Sequence, residues 1–214
     1  AAPWVPWLLL LLLPRPATSC SFAIANYNLT MTAVWPRANF FNRFRGPDAT
    51  NIAGAHGWTF VHNLLSMTGA FTLQPFLSDD GQVACLFNGE IYNYIELRNE
   101  LRMAGYQFKS SSDTEVLVRA YEAWGSGFVE RLNGMFAIAI LDNKKNELLL
   151  CRDRLGVKPL YLYTESSSIY FSSEIKTFLD IPTFDKTINK QSVHNYLKFN
   201  YIPLPQTIFQ CVEH

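Results

Sequence analysis

The sequence predicts an α+β domain built in layers, with two sheets packed together and helices outside, and three observations carry that prediction. Short apolar or aromatic runs punctuated by Gly, Asn, Asp and Pro recur along the chain at strand length. Two amphipathic helices stand among them, and they fall between hairpins rather than after every strand. Residues 135–141 (MFAIAIL) have no polar face, so that strand needs cover on both sides, which a sheet with one wet face cannot give.

Taken in order, residues 1–19 read AAPWVPWLLLLLLPRPATS, with an unbroken apolar run over 7–13. A run that short cannot cross a hydrocarbon layer, which takes about 20 helical residues, so no membrane-spanning helix is expected. The run, the prolines beside it and the small residues Ala17 and Ser19 fit a secretory signal with its cleavage site. The lack of basic residues ahead of it and the initial Ala fit a mispredicted or truncated start instead, and both readings stand. In either case, removal of residues 1–19 leaves Cys20 as the new N-terminus.

No repeat or low-complexity linker follows, so residues 20–200 are read as one domain. Strands are expected at 58–66, 82–87, 135–141, 147–152, 160–163 and 169–172, with 142–146 (DNKKN) as a hairpin loop. Asn93 with Glu96 three residues on reads as a capping box. It opens a helix whose face carries Tyr94, Leu97, Leu101 and Ala104 and which ends before Gly105. Ser112 with Glu115 opens a second helix, striped by Val116, Leu117, Ala120, Tyr121 and Trp124 and stopped by Gly125.

The 214 residues are 49% hydrophobic, 17% charged and 14% aromatic, and 18 Lys plus Arg balance 18 Asp plus Glu. A domain of this length buries roughly 70% of the surface of its unfolded chain and needs no metal or disulfide staple. Disordered and collagen-like classes are excluded. Zero net charge without a basic run argues against nucleic acid as a partner. Cys20, Cys85, Cys151 and Cys211 form no C-x-x-C or Cys/His cluster, so no metal site is expected. Cys85 and Cys151 lie in apolar runs and read as small buried hydrophobes, whereas Cys20 stands at a compositional border. His56, His62, His194 and His214 read as ordinary surface or core histidines. Lys144 and Lys145 read as a solvated loop pair, and Asn28-Leu29-Thr30 is a glycosylation sequon that matters only in a secreted chain.

Four motifs carry the chemistry: RGPD at 45–48, NGEIYN at 88–93, SSDTE at 111–115 and RDRLGVKPLY at 152–161. Singly, each has a plain structural explanation: a Pro-set turn, a hairpin turn after a strand, an acidic first helical turn, a loop with a surface ion pair. Together and in this order they resemble the class II glutamine amidotransferases, and within them the glutaminase domain of glutamine-dependent asparagine synthetase. The likeness runs from Cys20 to the end of the chain and takes in Gln74-Pro75, 132–142 (LNGMFAIAILD), 172–179 (SSEIKTFL) and 201–209 (YIPLPQTIF).

The resemblance implies the N-terminal-nucleophile hydrolase fold, a four-layer α/β/β/α sandwich, in agreement with the layering above. It implies glutamine as substrate and no cofactor in this domain. Residues 201–214 would begin a linker to an ATP-dependent synthetase domain, working in cis or in trans. ATP and Mg belong to that domain, and no SGG-x-DS-like pyrophosphate loop occurs in this sequence. A cytoplasmic location follows from the resemblance, a secreted or anchored one from a true signal over 1–19.

Residue by residue, the resemblance makes Cys20 the nucleophile at a processed N-terminus, with Cys20-Ser21-Phe22-Ala23-Ile24 as its strand. The chemistry is consistent: a thiol with an ordinary pKa of ~8.5 needs a base, and its own α-amine, with a pKa of about 7.7 to 8.0, can serve once no peptide bond blocks it. Asn88 and Gly89 would stabilise the oxyanion, through a side-chain amide and a backbone N–H. Glu90 and Asp113 would bind the α-amino group of glutamine, and Arg45 would anchor the N-terminal strand and pocket.

The sequence departs from the family at two places. In His62-Asn63-Leu64-Leu65-Ser66-Met67, Leu64 takes the place of the Arg that holds the substrate carboxylate. Losing that contact costs about 2 to 5 kcal/mol unless another cation compensates. Ser111 stands where Gly is common. Three readings therefore remain open at this point: a glutaminase domain feeding a synthetase, a catalytically impaired module kept for structure or assembly, and an exported amidohydrolase of other specificity.

Overall fold

The strand without a polar face is β6 (Gly134–Asp142), and it lies at the centre of a five-stranded antiparallel sheet. The structure, a computed structural model, describes residues 23–28, 49–55, 58–64, 72–165 and 168–214. The expectations for residues 1–19, Cys20, Arg45, His56 and Thr30 lie outside these. In chain order the other members of the sheet are β1 (Ala23–Asn28), β4 (Phe76–Leu77), β5 (Val83–Ile91) and β7 (Glu147–Arg152). They are ordered β1-β7-β6-β5-β4.

Because side chains alternate along a strand, β6 feeds two cores. Phe136, Ile138 and Ile140 face helices α1 (Tyr94–Met103) and α2 (Asp113–Trp124), meeting Leu97, Leu101, Val116, Leu117 and Tyr121. Ala139 and Leu141 belong to a second core, with Trp58 and Phe60 from the hairpin of β2 (Ala49–Ala55) and β3 (Trp58–Leu64). Ile169, Leu162 and Phe171 complete it, from β8 (Tyr161–Glu165) and β9 (Ser168–Ser172). These two pair with each other, and the order of their sheet is β10-β8-β9, with β10 at Val212–Glu213. On its far side Tyr163 and Tyr170 pack on Phe178, Ile181 and Phe184, in and after a 3-10 helix at Ile175–Asp180. The order across the molecule is helix, sheet, sheet, helix, as expected. The expected linker region contributes β10 to this sheet and buries Thr207 and Val212.

Local differences from the sequence reading have physical causes. Asn93 does precede α1, but its side chain caps nothing: Nδ2 donates to Arg131 O (2.9 Å) and Oδ1 accepts from Asn133 N (2.9 Å). Arg98, not Ala104, completes the buried face of that helix. Ser112 caps α2 as expected, accepting from Thr114 N at 3.0 Å. Glu115 does not reach back in a capping box; fully buried, it accepts from Lys109 N, Ser110 N and Ser110 Oγ instead. The lysine pair is more than solvated loop, since Lys144 meets Asp80 at 2.6 Å and Lys145 meets Asp142 at 3.3 Å. Helix α3 (Lys190–Phe199), not among the expected helices, adds little to the core, since it buries only Ser192. Strand β2 (ATNIAGA) carries little strand signal, because Ala, Asn and Gly fill five of its seven places and none is aromatic.

Candidate active site

The site forms at one end of the five-stranded sheet. Strand β5 runs past its expected end to Ile91, so Asn88, Gly89 and Glu90 are strand residues rather than a turn. The register places Asn88 opposite Ala137, Ala137 opposite Arg152, and Arg152 opposite Ala23. Ala23 and Asn88 thus share one rung of the sheet. Strands β1 and β5 run antiparallel, because three antiparallel steps separate them. Beyond that rung, at the end where β1 begins, lie Gly89, Glu90 and Ile91.

Phe87, Asn88 and Ile91 are each held from outside their own strand. β4 pairs with β5 only at Ala84 and Cys85. Past it, the N–H of Phe87 donates to Gln74 Oε1 at 2.6 Å, and Gln74 O accepts from Asn51 Nδ2 at 2.8 Å. A buried glutamine thus stands in for the missing edge strand immediately before Asn88. Asn88 Nδ2 donates to Ser173 Oγ at 3.0 Å, which joins the two sheets at this end. At Gly89 a Cβ would lie 2.1 Å from Met135 O, and at Gly134 it would lie 2.3 Å from Glu90 O. The two glycines let β5 and β6 approach this closely at the site.

Asp113, first residue of α2, accepts from Ile91 N through Oδ2 at 3.3 Å, which brings it beside Glu90 at the end of β5. Burial pushes the Asp113 carboxyl above its ordinary range and the neighbouring Glu90 charge adds to this, against N–H donations from Ile91 and Thr114. Two acidic side chains drawn together in a part-buried place make a setting that a cation relieves. The preceding loop is fixed from below: Arg98 donates to Ser110 O and Ser112 O at 2.5 and 2.8 Å, and Glu115 takes the N–H groups of Lys109 and Ser110.

The RDRLGVKP segment is not a loop with a surface ion pair. Asp153, buried, accepts from the N–H groups of Phe136, Leu155, Val157 and Lys158. Burial raises its carboxyl, but these donations outweigh that and hold it below the ordinary range. Arg152 donates to Lys158 O and Gly156 O. Asp153 N also donates to Phe136 O at 2.8 Å, so the loop grips β6 at the residue paired with Gly89.

Of the expected site residues, the structure brings Asn88, Gly89, Glu90 and Asp113 together; Cys20 and Arg45 lie outside the described residues. Gln74, Ser173 and Asp153 were legible only as parts of a resemblance. None of the three described cysteines is poised as a nucleophile, since burial pushes the thiols of Cys85, Cys151 and Cys211 up. Burial also holds His62 and His214 down at about 4, so neither supplies a cation at neutral pH. Among the described residues no group of three His, Cys, Asp or Glu could hold a metal ion, and no helix is long and apolar enough to cross a membrane.

A conserved-family model described as "Glutamine amidotransferase domain" matches residues 22–214, and the chain belongs to that family. It is 41% identical over 149 residues to asparagine synthetase [glutamine-hydrolyzing] 3 of Bacillus subtilis (strain 168), covering 68% of this chain and 24% of the relative. A putative asparagine synthetase [glutamine-hydrolyzing] of Mycobacterium tuberculosis (strain ATCC 25618 / H37Rv) is 36% identical over 190 residues, covering 82% and 29%. Among solved structures, glutamine phosphoribosylpyrophosphate amidotransferase from B. subtilis complexed with ADP and GMP matches with a TM-score of 0.48 and 27% identity, over 56% of this chain and 28% of that one. The chain spans about a quarter of the length of the curated relatives. The match lies with the glutaminase part of asparagine synthetases.

Proposed function

We propose that this chain hydrolyses glutamine and releases ammonia for an ATP-dependent synthetase domain, in cis or in trans, that makes asparagine. Cys20, exposed as the N-terminal residue, is the nucleophile. Its α-amine takes the thiol proton, the thiolate attacks the side-chain amide carbon, and the resulting oxyanion is held by the Asn88 amide and the Gly89 N–H. The amide nitrogen takes a proton from the α-ammonium group and leaves as ammonia; water then hydrolyses the glutamyl thioester. This chemistry draws on no cofactor, while ATP and Mg belong to the synthetase step.

The observation that supports this best is the rung shared by Ala23 and Asn88. Cys20 precedes Ala23 by three residues, and three extended residues span about 10 Å. β1 therefore begins at the end of the sheet that holds Asn88 and Gly89, within that reach of Cys20 in sequence. Removing the thiol tests the proposal: with Cys20 terminal, Cys20→Ala is expected to abolish ammonia release from glutamine, and equal rates reject Cys20 as nucleophile.

Glu90 and Asp113 receive the substrate ammonium, and the raised Asp113 carboxyl sets the pH dependence of binding. As pH falls through that raised value Asp113 takes a proton and loses its attraction for the ammonium. KM for glutamine therefore rises on acidification, starting above the ordinary carboxylate range of about 4. Linkage gives the opposite sign for stability. A carboxyl raised on folding costs nothing below its unfolded pKa and destabilises as pH rises through the folded one. Asp113→Asn is thus expected to raise the melting temperature at neutral pH while raising KM; a variant that loses stability with KM unchanged contradicts this assignment.

A further inference from the structure

Ser173 lies directly after β9, in the sheet opposite the one that carries Asn88, yet its hydroxyl accepts from Asn88 Nδ2 at 3.0 Å across 85 residues of sequence. The turn that presents it is itself held. Ser172 Oγ accepts from Glu174 N at 3.0 Å and shares a hydrogen bond with Thr177 Oγ1 at 2.8 Å, and Thr177 is fully buried. Thr177 Oγ1 also reaches Glu174 O. Ser173 is therefore the end of a braced turn rather than a loose surface hydroxyl.

An Asn amide nitrogen carries two protons. With one directed at a fixed acceptor, the other is set in the amide plane, about 120° away, before any substrate arrives. An oxyanion donor gains its effect from being aimed in advance, because reorientation during the reaction would cost the stabilisation it gives. From this geometry we infer that Ser173 is a positioning residue: it holds the Asn88 side chain so that its second N–H points where the oxyanion develops. The inference rests on the assignment of Asn88 to the oxyanion and extends the site to the second sheet.

Two measurements test it. In the intact full chain, NMR of the Asn88 side-chain amide reads the contact directly. Ser173→Ala is expected to shift its two proton resonances and speed their exchange with solvent, while Ser173→Thr preserves both. For kinetics, the chain is folded at full length and then cleaved ahead of Cys20. Ser173→Ala is expected to lower kcat for glutamine about 10-fold with KM within about 2-fold, and Ser173→Thr to restore it. Asn88→Ala should lower kcat roughly 100-fold to 1,000-fold, and adding Ser173→Ala to it should change nothing further. Unchanged Asn88 resonances in Ser173→Ala overturn the inference, whatever the kinetics. So does an equal loss from Ser173→Ala with and without Asn88, which marks a purely structural role. If Asn88→Ala leaves kcat intact, the oxyanion assignment itself has failed and the inference falls with it; a full effect of Asn88→Ala beside none of Ser173→Ala removes Ser173 alone.

Discussion

Gly89→Ala is expected to lose at least about 3 kcal/mol of stability and, with it, ammonia release from glutamine. The added Cβ would lie 2.1 Å from Met135 O, 2.8 Å from Phe136 Cα and 2.9 Å from a ring carbon of Phe87. Two of these three are backbone, so no rotamer change relieves them. Nor can β6 retreat: it pairs with β5 on one side and β7 on the other, and Asp153 grips Phe136 through both its carboxylate and its N–H. Overpacking in a core typically costs about 1 to 3 kcal/mol when side chains can shift, and a backbone clash lies at the upper end or beyond. Gly127→Ala is the control, because a Cβ there meets nothing within 4 Å and its backbone conformation suits any residue. Its denaturation midpoint should stay close to that of the parent. Equal losses from both substitutions would show that close approach at the site is not what requires glycine.

Leu64→Arg is expected to lower KM for glutamine by about 30-fold or more, with kcat little changed. Leu64 ends β3, opposite Ala49 of β2. By the resemblance of 62–67 to the family's pattern, its place is the one where a cation would hold the substrate carboxylate. A charge-assisted pair with a carboxylate contributes about 2 to 5 kcal/mol, and each 1.4 kcal/mol is tenfold in affinity. His62 cannot substitute, since burial holds its imidazole neutral at pH 7. The effect should appear for glutamine and vanish for an amide analogue that lacks the α-carboxylate. An unchanged KM means that another cation already holds the carboxylate, or that the natural substrate has none.

The layered fold was legible because β6 has no polar face, and a strand of that kind implies its two neighbouring layers. The helices were legible from their stripes, since Leu97, Leu101, Val116 and Leu117 do pack on the sheet. Side-chain hydrogen bonds were harder to foresee. Asn93 and Glu115 have the residue types of a capping box, but nearby backbone donors and acceptors offered them better partners. Within the site, Asn88, Gly89, Glu90 and Asp113 could be named from motif resemblance. What holds them could not. Gln74, Ser173 and Asp153 act across 13, 85 and 17 residues of sequence, distances that no local pattern encodes. The extension of β5 through NGE was hidden for a related reason, since Asn and Gly are turn residues by local chemistry and strand residues here by close packing.

The account depends on an uncapped amine on the same residue as the reactive thiol. The most direct measurement compares ammonia release from glutamine by two forms of the folded chain, one cleaved to begin at Cys20 and one beginning a single residue earlier, at Ser19. The account predicts hydrolysis by the first form and none above the Cys20→Ala background by the second. Comparable rates from both would mean that some other group takes the thiol proton, and the proposed mechanism would be wrong.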